Sequence, residues 1–206
     1  MAAPGLRVGV LGGSFNPAHD GHLHISLLAL KQLQLDEVWW MVSPQNPLKS
    51  TKDMAPFDER LANAEIFIRH PGIRVTDIES RLGTRYTVDT LAALKFAFPR
   101  VHFVWLMGAD NLAQMSRWRR WTRIFNLVPI AVFDRAPYSF DALAGKAAQA
   151  FSRFKLRARN ATDLVERTPP AWIFFHTRLH PGSATLIRAR RIRREKSDTK
   201  SKTQNT

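Results

Sequence analysis

Residues 9–22 of this 206-residue chain read Gly-Val-Leu-Gly-Gly-Ser-Phe-Asn-Pro-Ala-His-Asp-Gly-His. Gly12 and Gly13 end an apolar run and let backbone come close to a ligand. Ser14, Phe15 and the turn Asn16-Pro17 follow. His19 and His22 then stand three residues apart at the expected start of a helix, where imidazoles at this spacing share a face. A helix start also offers N–H groups and a positive dipole end. Together these are the parts of a phosphate site that lacks a Walker lysine. The dinucleotide pattern Gly-x-Gly-x-x-Gly is absent, and so is Gly-Lys-Ser/Thr. His24 is close in sequence, but it is expected on another face, and nothing beside it completes a zinc set.

Other segments carry chemistry of the same kind. Gly182-Ser183-Ala184-Thr185-Leu186-Ile187-Arg188 puts a capping serine, a second hydroxyl and an arginine at a helix start. Lys49 lies in the polar, proline-rich loop 44–56. Arg85-Tyr86-Thr87-Val88-Asp89-Thr90-Leu91 opens a helix, and Gly108-Ala109-Asp110-Asn111-Leu112 follows a strand. In Arg117-Trp118-Arg119-Arg120-Trp121 the arginines around Trp118 point to a ligand-facing ring. Trp121 reads as packing, the usual meaning of aromatic spacing on a helix. No Asp/Glu pair and no Ser/His/Asp set stands out at the expected strand ends.

The elements that must hold these residues follow from hydrophobic periodicity. Apolar runs predict strands over 6–11, 37–43, 73–78, 101–107, 127–133 and 172–176. Helical spacing predicts helices over 22–35, 57–69, 88–98, 111–125, 140–150 and 184–194. This alternation predicts an α/β fold, a Rossmann-like parallel sheet with helices on both faces, in a single domain over 1–194. Segment 152–170 reads as basic and irregular, and 195–206 as a disordered polar tail.

The net charge is +14, and residues 151–206 hold 14 Lys+Arg against 4 Asp+Glu, so +10 of it is C-terminal. That balance suits an anionic partner. Non-specific nucleic-acid affinity is one reading of it, but no recognition motif accompanies the charge. The chain has no cysteine, which excludes disulfides and thiolate metal sites and fits a reducing cytosol. The opening Met-Ala-Ala-Pro-Gly runs straight into the first strand and leaves no room for a signal peptide. No run approaches the ~18 apolar residues of a membrane helix.

The stretch ending His19-Asp20-Gly21-His22 resembles the His-x-Gly-His signature of the nucleotidylyltransferase superfamily. Ser183, Thr185 and Arg188 match its C-terminal Ile-Ser-Ser-Thr-x-Ile-Arg element, with Gly182 and Ala184 as departures. Segments 85–91, 108–112 and 117–121 resemble the nicotinate mononucleotide adenylyltransferases. Pro47-Leu48-Lys49 resembles that family's Pro-Pro-His-Lys, and Asp58 and Arg60 its Asp-x-Arg, read here as structural. Asn16 stands where many relatives carry aspartate.

The resemblance implies a cytoplasmic enzyme that joins ATP to nicotinate mononucleotide in NAD biosynthesis, releasing pyrophosphate. His19, His22 and Arg188 would be catalytic. Gly12, Gly13, Ser14, Phe15, Lys49, Ser183 and Thr185 would bind ATP. Trp118 would stack on the pyridine ring, Thr87 would help hold its carboxylate, and Asp110 would lie by a ribose. Mg²⁺ would arrive with ATP, held by its oxygens and by water, with no protein metal ligand. Neither a specific nucleic acid nor a membrane is expected as a partner. The alternatives are another acceptor, nicotinamide mononucleotide or phosphopantetheine, or a non-catalytic nucleotide- or nucleic-acid-binding protein.

Overall fold

The computed structural model describes residues 5–45, 54–134 and 138–176. Seven strands form one parallel sheet: β1 (Arg7–Gly13), β2 (Glu37–Val42), β3 (Ile73–Thr76), β4 (His102–Gly108), β5 (Ile130–Phe133), β6 (Lys155–Leu156) and β7 (Trp172–Phe175). Their spatial order is β3-β2-β1-β4-β5-β7-β6, so the chain works outward from β1 on one side, then returns to place β4 on the other. In such a sheet the crevice beside the central strand, at the carboxyl ends, is where ligands bind.

Side chains along a strand alternate between faces, and both faces here are buried. On β4, Phe103, Trp105 and Met107 join one core cluster, and Val104 and Leu106 the other. The first cluster packs under α4 (Thr87–Ala97), α5 (Ala109–Gln114), α6 (Trp121–Leu127), α7 (Ser139–Ala144) and α8 (Lys146–Ala150). The second packs under α1 (Asp20–Gln32), α2 (Phe57–Phe67) and a 3-10 helix at Ala158–Glu166. A four-residue helix, α3 (Ile78–Arg81), follows β3. Each fully buried Val, Leu or Phe contributes about 1.5–3 kcal/mol, so strands apolar on both faces can settle only between two helical layers. No helix among the described residues is long and apolar enough to cross a membrane.

The six expected strands are present, and β6 is an addition. Two helices differ from expectation. The helix expected over 111–125 ends as a 3-10 turn at Met115–Arg117, and Trp118 is extended at φ −77°, ψ 147°. Arg120 takes a left-handed φ of 48° before α6 restarts. Apolar spacing alone cannot register this break, which tertiary packing imposes. The helix expected over 140–150 breaks at Gly145. Segment 152–170 is more regular than its charge suggested, because Ala161, Leu164 and Val165 recur at helical spacing and are buried. The expected helix 184–194 and tail 195–206 lie outside the described residues.

Candidate active site

The turn from β1 into α1 is held by the two histidines themselves. His19 is the N-cap of α1, and its Nδ1 accepts from the Gly21 backbone N–H at 3.0 Å. The His22 Nδ1 in turn accepts from the His19 backbone N–H at 3.2 Å. The rings stack with centroids 3.8 Å apart. These bonds fix the tautomer: a nitrogen that accepts carries no proton, so each neutral imidazole bears its proton on Nε2. The helix-start N–H groups read from the sequence as free phosphate donors are therefore partly claimed, and the imidazoles pass the donor function to the far side of each ring.

The loop is braced from below. The Phe15 ring, 2% exposed, packs 4.6 Å from His22 and 5.0 Å from Trp40. The Ser26 hydroxyl donates to the His22 carbonyl at 2.8 Å and accepts from Trp40 Nε1 at 2.7 Å, tying α1 to β2. Phe15 has a φ of 45°, uncommon for a bulky residue. Its side chain belongs to the core, so only its backbone can meet a ligand.

Arg60 of α2 is the second brace, 2% exposed, and its hydrogen bonds among the described residues go to backbone carbonyls. Its Nη1 donates to the Ser14 carbonyl at 2.6 Å and the Ser43 carbonyl at 2.8 Å. Nη2 reaches the Pro44 carbonyl at 2.9 Å and Nε the Ala55 carbonyl at 3.0 Å. One guanidinium thus ties the loop after β1 to the loop after β2. Burial lowers its pKa from the usual arginine value.

A cavity of about 350 Å³ opens where the strand order reverses. Gly12 and Gly13 line it from β1, Trp105 from β4, Thr87 from the start of α4, and Trp118 from the break before α6. Gly12 is required sterically, since a Cβ there would lie 2.5 Å from the Trp105 ring. Tyr86 provides no side-chain cap for α4, which leaves its first-turn N–H groups unclaimed by a capping side chain. Arg85, Arg117 and Arg119 make the rim positive, and Arg119 lies 4.6 Å over the Tyr86 ring.

Buried polar atoms without a partner are rare and mark ligand sites or strain. Among the described residues, Ser14 Oγ, Glu79 Oε2, Trp105 Nε1 and Trp118 Nε1 are such atoms. Three of these four residues line the cavity, and Ser14 follows its glycines.

The structure thus places Gly12 and Gly13 at the end of β1, Ser14, Phe15 and His19 in the turn that follows and His22 in the first turn of α1, and brings Thr87 and Trp118 together in a cavity that the two glycines also line. Trp121 packs on Phe125 and Phe151, as its spacing suggested. Asp110 sits in the first turn of α5, and its neighbour Asn111 lines the cavity instead. Lys49, Ser183, Thr185 and Arg188 lie outside the described residues. Sequence reasoning missed Ser43, Trp105 and Glu79. The strand expected over 73–78 stops at Thr76, which hid the one usable signal, a glutamate just past a strand end.

Comparison with known proteins gives the family and the fold. The cytidylyltransferase-like family model matches residues 10–190. A protein of Parvibaculum lavamentivorans named probable nicotinate-nucleotide adenylyltransferase is 55% identical over 190 residues, 92% of this chain and 94% of that protein. One of Gluconacetobacter diazotrophicus with the same name is 53% identical over 91% of this chain and 87% of that protein. In fold, the chain resembles the Plasmodium falciparum nicotinic acid mononucleotide adenylyltransferase complexed with NaAD. That match has a TM-score of 0.62 at 17% identity and covers 86% of this chain and 77% of that one. The chain belongs to the cytidylyltransferase-like family and, within it, to the nicotinate-nucleotide adenylyltransferases.

Proposed function

We propose that this chain transfers the adenylyl group of ATP to the 5′-phosphate of nicotinate mononucleotide, giving nicotinate adenine dinucleotide and pyrophosphate, a step of NAD biosynthesis. The observation that carries the reading is that the histidine-capped turn into α1 continues from Gly12 and Gly13, which themselves line an arginine-rimmed cavity containing Trp105 and Trp118. The names of the relatives support the same substrates.

The acceptor phosphate has a second pKa of about 6, so it arrives at neutral pH already ionised and needs no general base. This accounts for a sequence in which no Asp/Glu pair and no Ser/His/Asp set stands out at the expected strand ends. The task left to the protein is to bring two polyanions together and to stabilise charge on the α-phosphoryl group as pyrophosphate leaves. His22 Nε2–H serves the α-phosphate and His19 the phosphates more generally. Gly12, Gly13 and the Phe15 backbone allow close approach, and the unpartnered Ser14 Oγ is available to the nucleotide. By their motifs, Lys49 and Arg188 neutralise the β- and γ-phosphates, with Ser183 and Thr185 beside them. ATP enters as its Mg²⁺ complex, the metal carried by the substrate.

On the acceptor side, Trp118 offers a flat face to the pyridinium ring. Thr87 and the start of α4 receive the ring carboxylate, and Asp110 is assigned to a ribose. A cytoplasmic location belongs to the same reading. Pyrophosphate release from MgATP with a panel of acceptors tests it. Release with nicotinate mononucleotide and none with phosphopantetheine is expected, and release with phosphopantetheine alone, or with no acceptor, overturns it.

A further inference from the structure

Glu79 is a buried carboxylate that the mechanism above does not use. It is 4% exposed and lines the cavity together with Thr87 and Trp118. Its Oε1 accepts from the Thr90 hydroxyl at 3.1 Å, and Thr90 Oγ1 lies 2.8 Å from Thr84 Oγ1. The other oxygen, Oε2, is buried and makes no hydrogen bond of ordinary geometry. The charged groups around it leave it without an ion pair among the described residues. On its own helix, Arg81 is paired with Asp77 at 2.8 Å. From the start of α4 come Arg85 and Tyr86, and from the turn before α6 Arg117 and Arg119, the latter stacked on Tyr86. From the residue after β2 comes the Ser43 hydroxyl.

A ring carboxylate in the same cavity would be an acceptor without a proton, facing a second acceptor in Glu79. Two such groups repel each other unless a proton lies between them or a cation offsets them. A ring carboxamide carries its own N–H and needs neither. We propose that Glu79 sets the choice between acid and amide acceptors. With its proton, the carboxyl group donates to the ring carboxylate of the acid; ionised, it repels that carboxylate and accepts from the carboxamide of the amide.

The surroundings favour the protonated form: burial raises the Glu79 pKa, more than the Ser43 and Thr90 hydroxyls lower it. Glu79 therefore carries its proton to higher pH than a surface glutamate does, and the acid is preferred over that range. The inference rests on the adenylyltransferase reading and adds to it a specificity-determining residue.

The test is kcat/KM for nicotinate and nicotinamide mononucleotides at saturating MgATP across the pH range in which Glu79 titrates. Both acceptors carry the same 5′-phosphate, so its titration near pH 6 cancels in the acid-to-amide ratio. The histidines act on the phosphates of both and cancel likewise. The ratio is expected to fall about tenfold with rising pH, the equivalent of one pKa unit of coupling, and to be flat in Glu79→Gln. Thr90→Val removes a donor that favours the ionised form, so it is expected to move the midpoint to higher pH. This second variant decides the matter if Glu79→Gln does not fold. A ratio that is flat in the wild type, that keeps its slope in Glu79→Gln, or whose midpoint stays put in Thr90→Val overturns the proposal. Absence of turnover with either acceptor overturns the adenylyltransferase reading and this inference with it, an outcome distinct from turnover at a flat ratio.

Discussion

Replacing Arg60 with alanine removes a single side chain yet unties two loops. Four carbonyls, of Ser14, Ser43, Pro44 and Ala55, lose the donor they share. Hydrogen bonds to a charged group contribute about 1.5–3 kcal/mol each, so four taken separately would reach about 6–12 kcal/mol. That sum is too large, for two reasons. The bonds come from one rigid group and are not additive. Truncation also removes the desolvation cost of a buried cation, the same cost that lowers the Arg60 pKa. A buried carbonyl left without a donor costs about 1–3 kcal/mol, and water entering the vacated space would hold each of the four near the lower end, which places Arg60→Ala at about 3–4 kcal/mol.

For a chain of this size each kcal/mol lowers Tm by about 2–4 °C, so a loss of about 10 °C is expected. Urea unfolding should show a lower midpoint at an unchanged slope. Arg60→Lys keeps a charge and three donors but not the planar fork, and should recover about half of the loss. Because Ser14 and Ser43 flank the cavity and the histidine loop, turnover should fall even at temperatures where the variant is fully folded. An Arg60→Ala chain within about 1 kcal/mol of wild type would refute the view that this side chain carries the loop geometry.

The remaining predictions concern the cavity. Trp118→Ala should raise KM for the mononucleotide about tenfold or more, with KM for ATP little changed, because a stacking face is worth about 1–3 kcal/mol; steady-state kinetics that show the reverse would exchange the two subsites. Gly12→Ala pushes a Cβ to within 2.5 Å of the Trp105 ring, and overpacking of this kind costs about 1–3 kcal/mol. It should also constrict the cavity, so weaker mononucleotide binding by calorimetry is the second expected sign. Glu79 has a raised pKa in the folded chain, so its contribution to stability is whole below the unfolded value of about 4.3 and is lost as pH rises through the folded value. Glu79→Gln should therefore gain Tm relative to wild type as pH rises, and an equal difference at acid and alkaline pH would contradict the burial argument.

Much of this arrangement was legible in the sequence because it is local. Five of the six longer strands are largely apolar runs, β3 alternates apolar and polar residues, and the β1–α1 turn is a contiguous word with its glycines, turn and histidines in order. What the loop does with its histidines was not legible. Spacing puts His19 and His22 near each other, but only the fold shows them capping α1 and passing its donors outward. Trp118 was picked out by its flanking arginines, while the break that frees it from a helix has no signature in the apolar pattern of 111–125. Ser43 follows the end of β2, Trp105 lies mid-strand in β4 and Glu79 sits in α3, and nothing in their own segments says that they meet. Arg60 could be assigned a structural part, but not the four carbonyls it reaches across 5 to 46 residues of chain.

The most direct test of the central claim is the rate of dinucleotide formation from saturating MgATP and nicotinate mononucleotide by the wild type and by His22→Ala, each followed by mass identification of the product. The account predicts nicotinate adenine dinucleotide from the wild type. It predicts a fall of about 10²–10³ in kcat for His22→Ala, the cost of one transition-state donor, with Tm lowered by no more than the loss of one capping bond allows. A wild-type chain that forms no dinucleotide, or a His22→Ala chain that turns over at the wild-type rate, would contradict it.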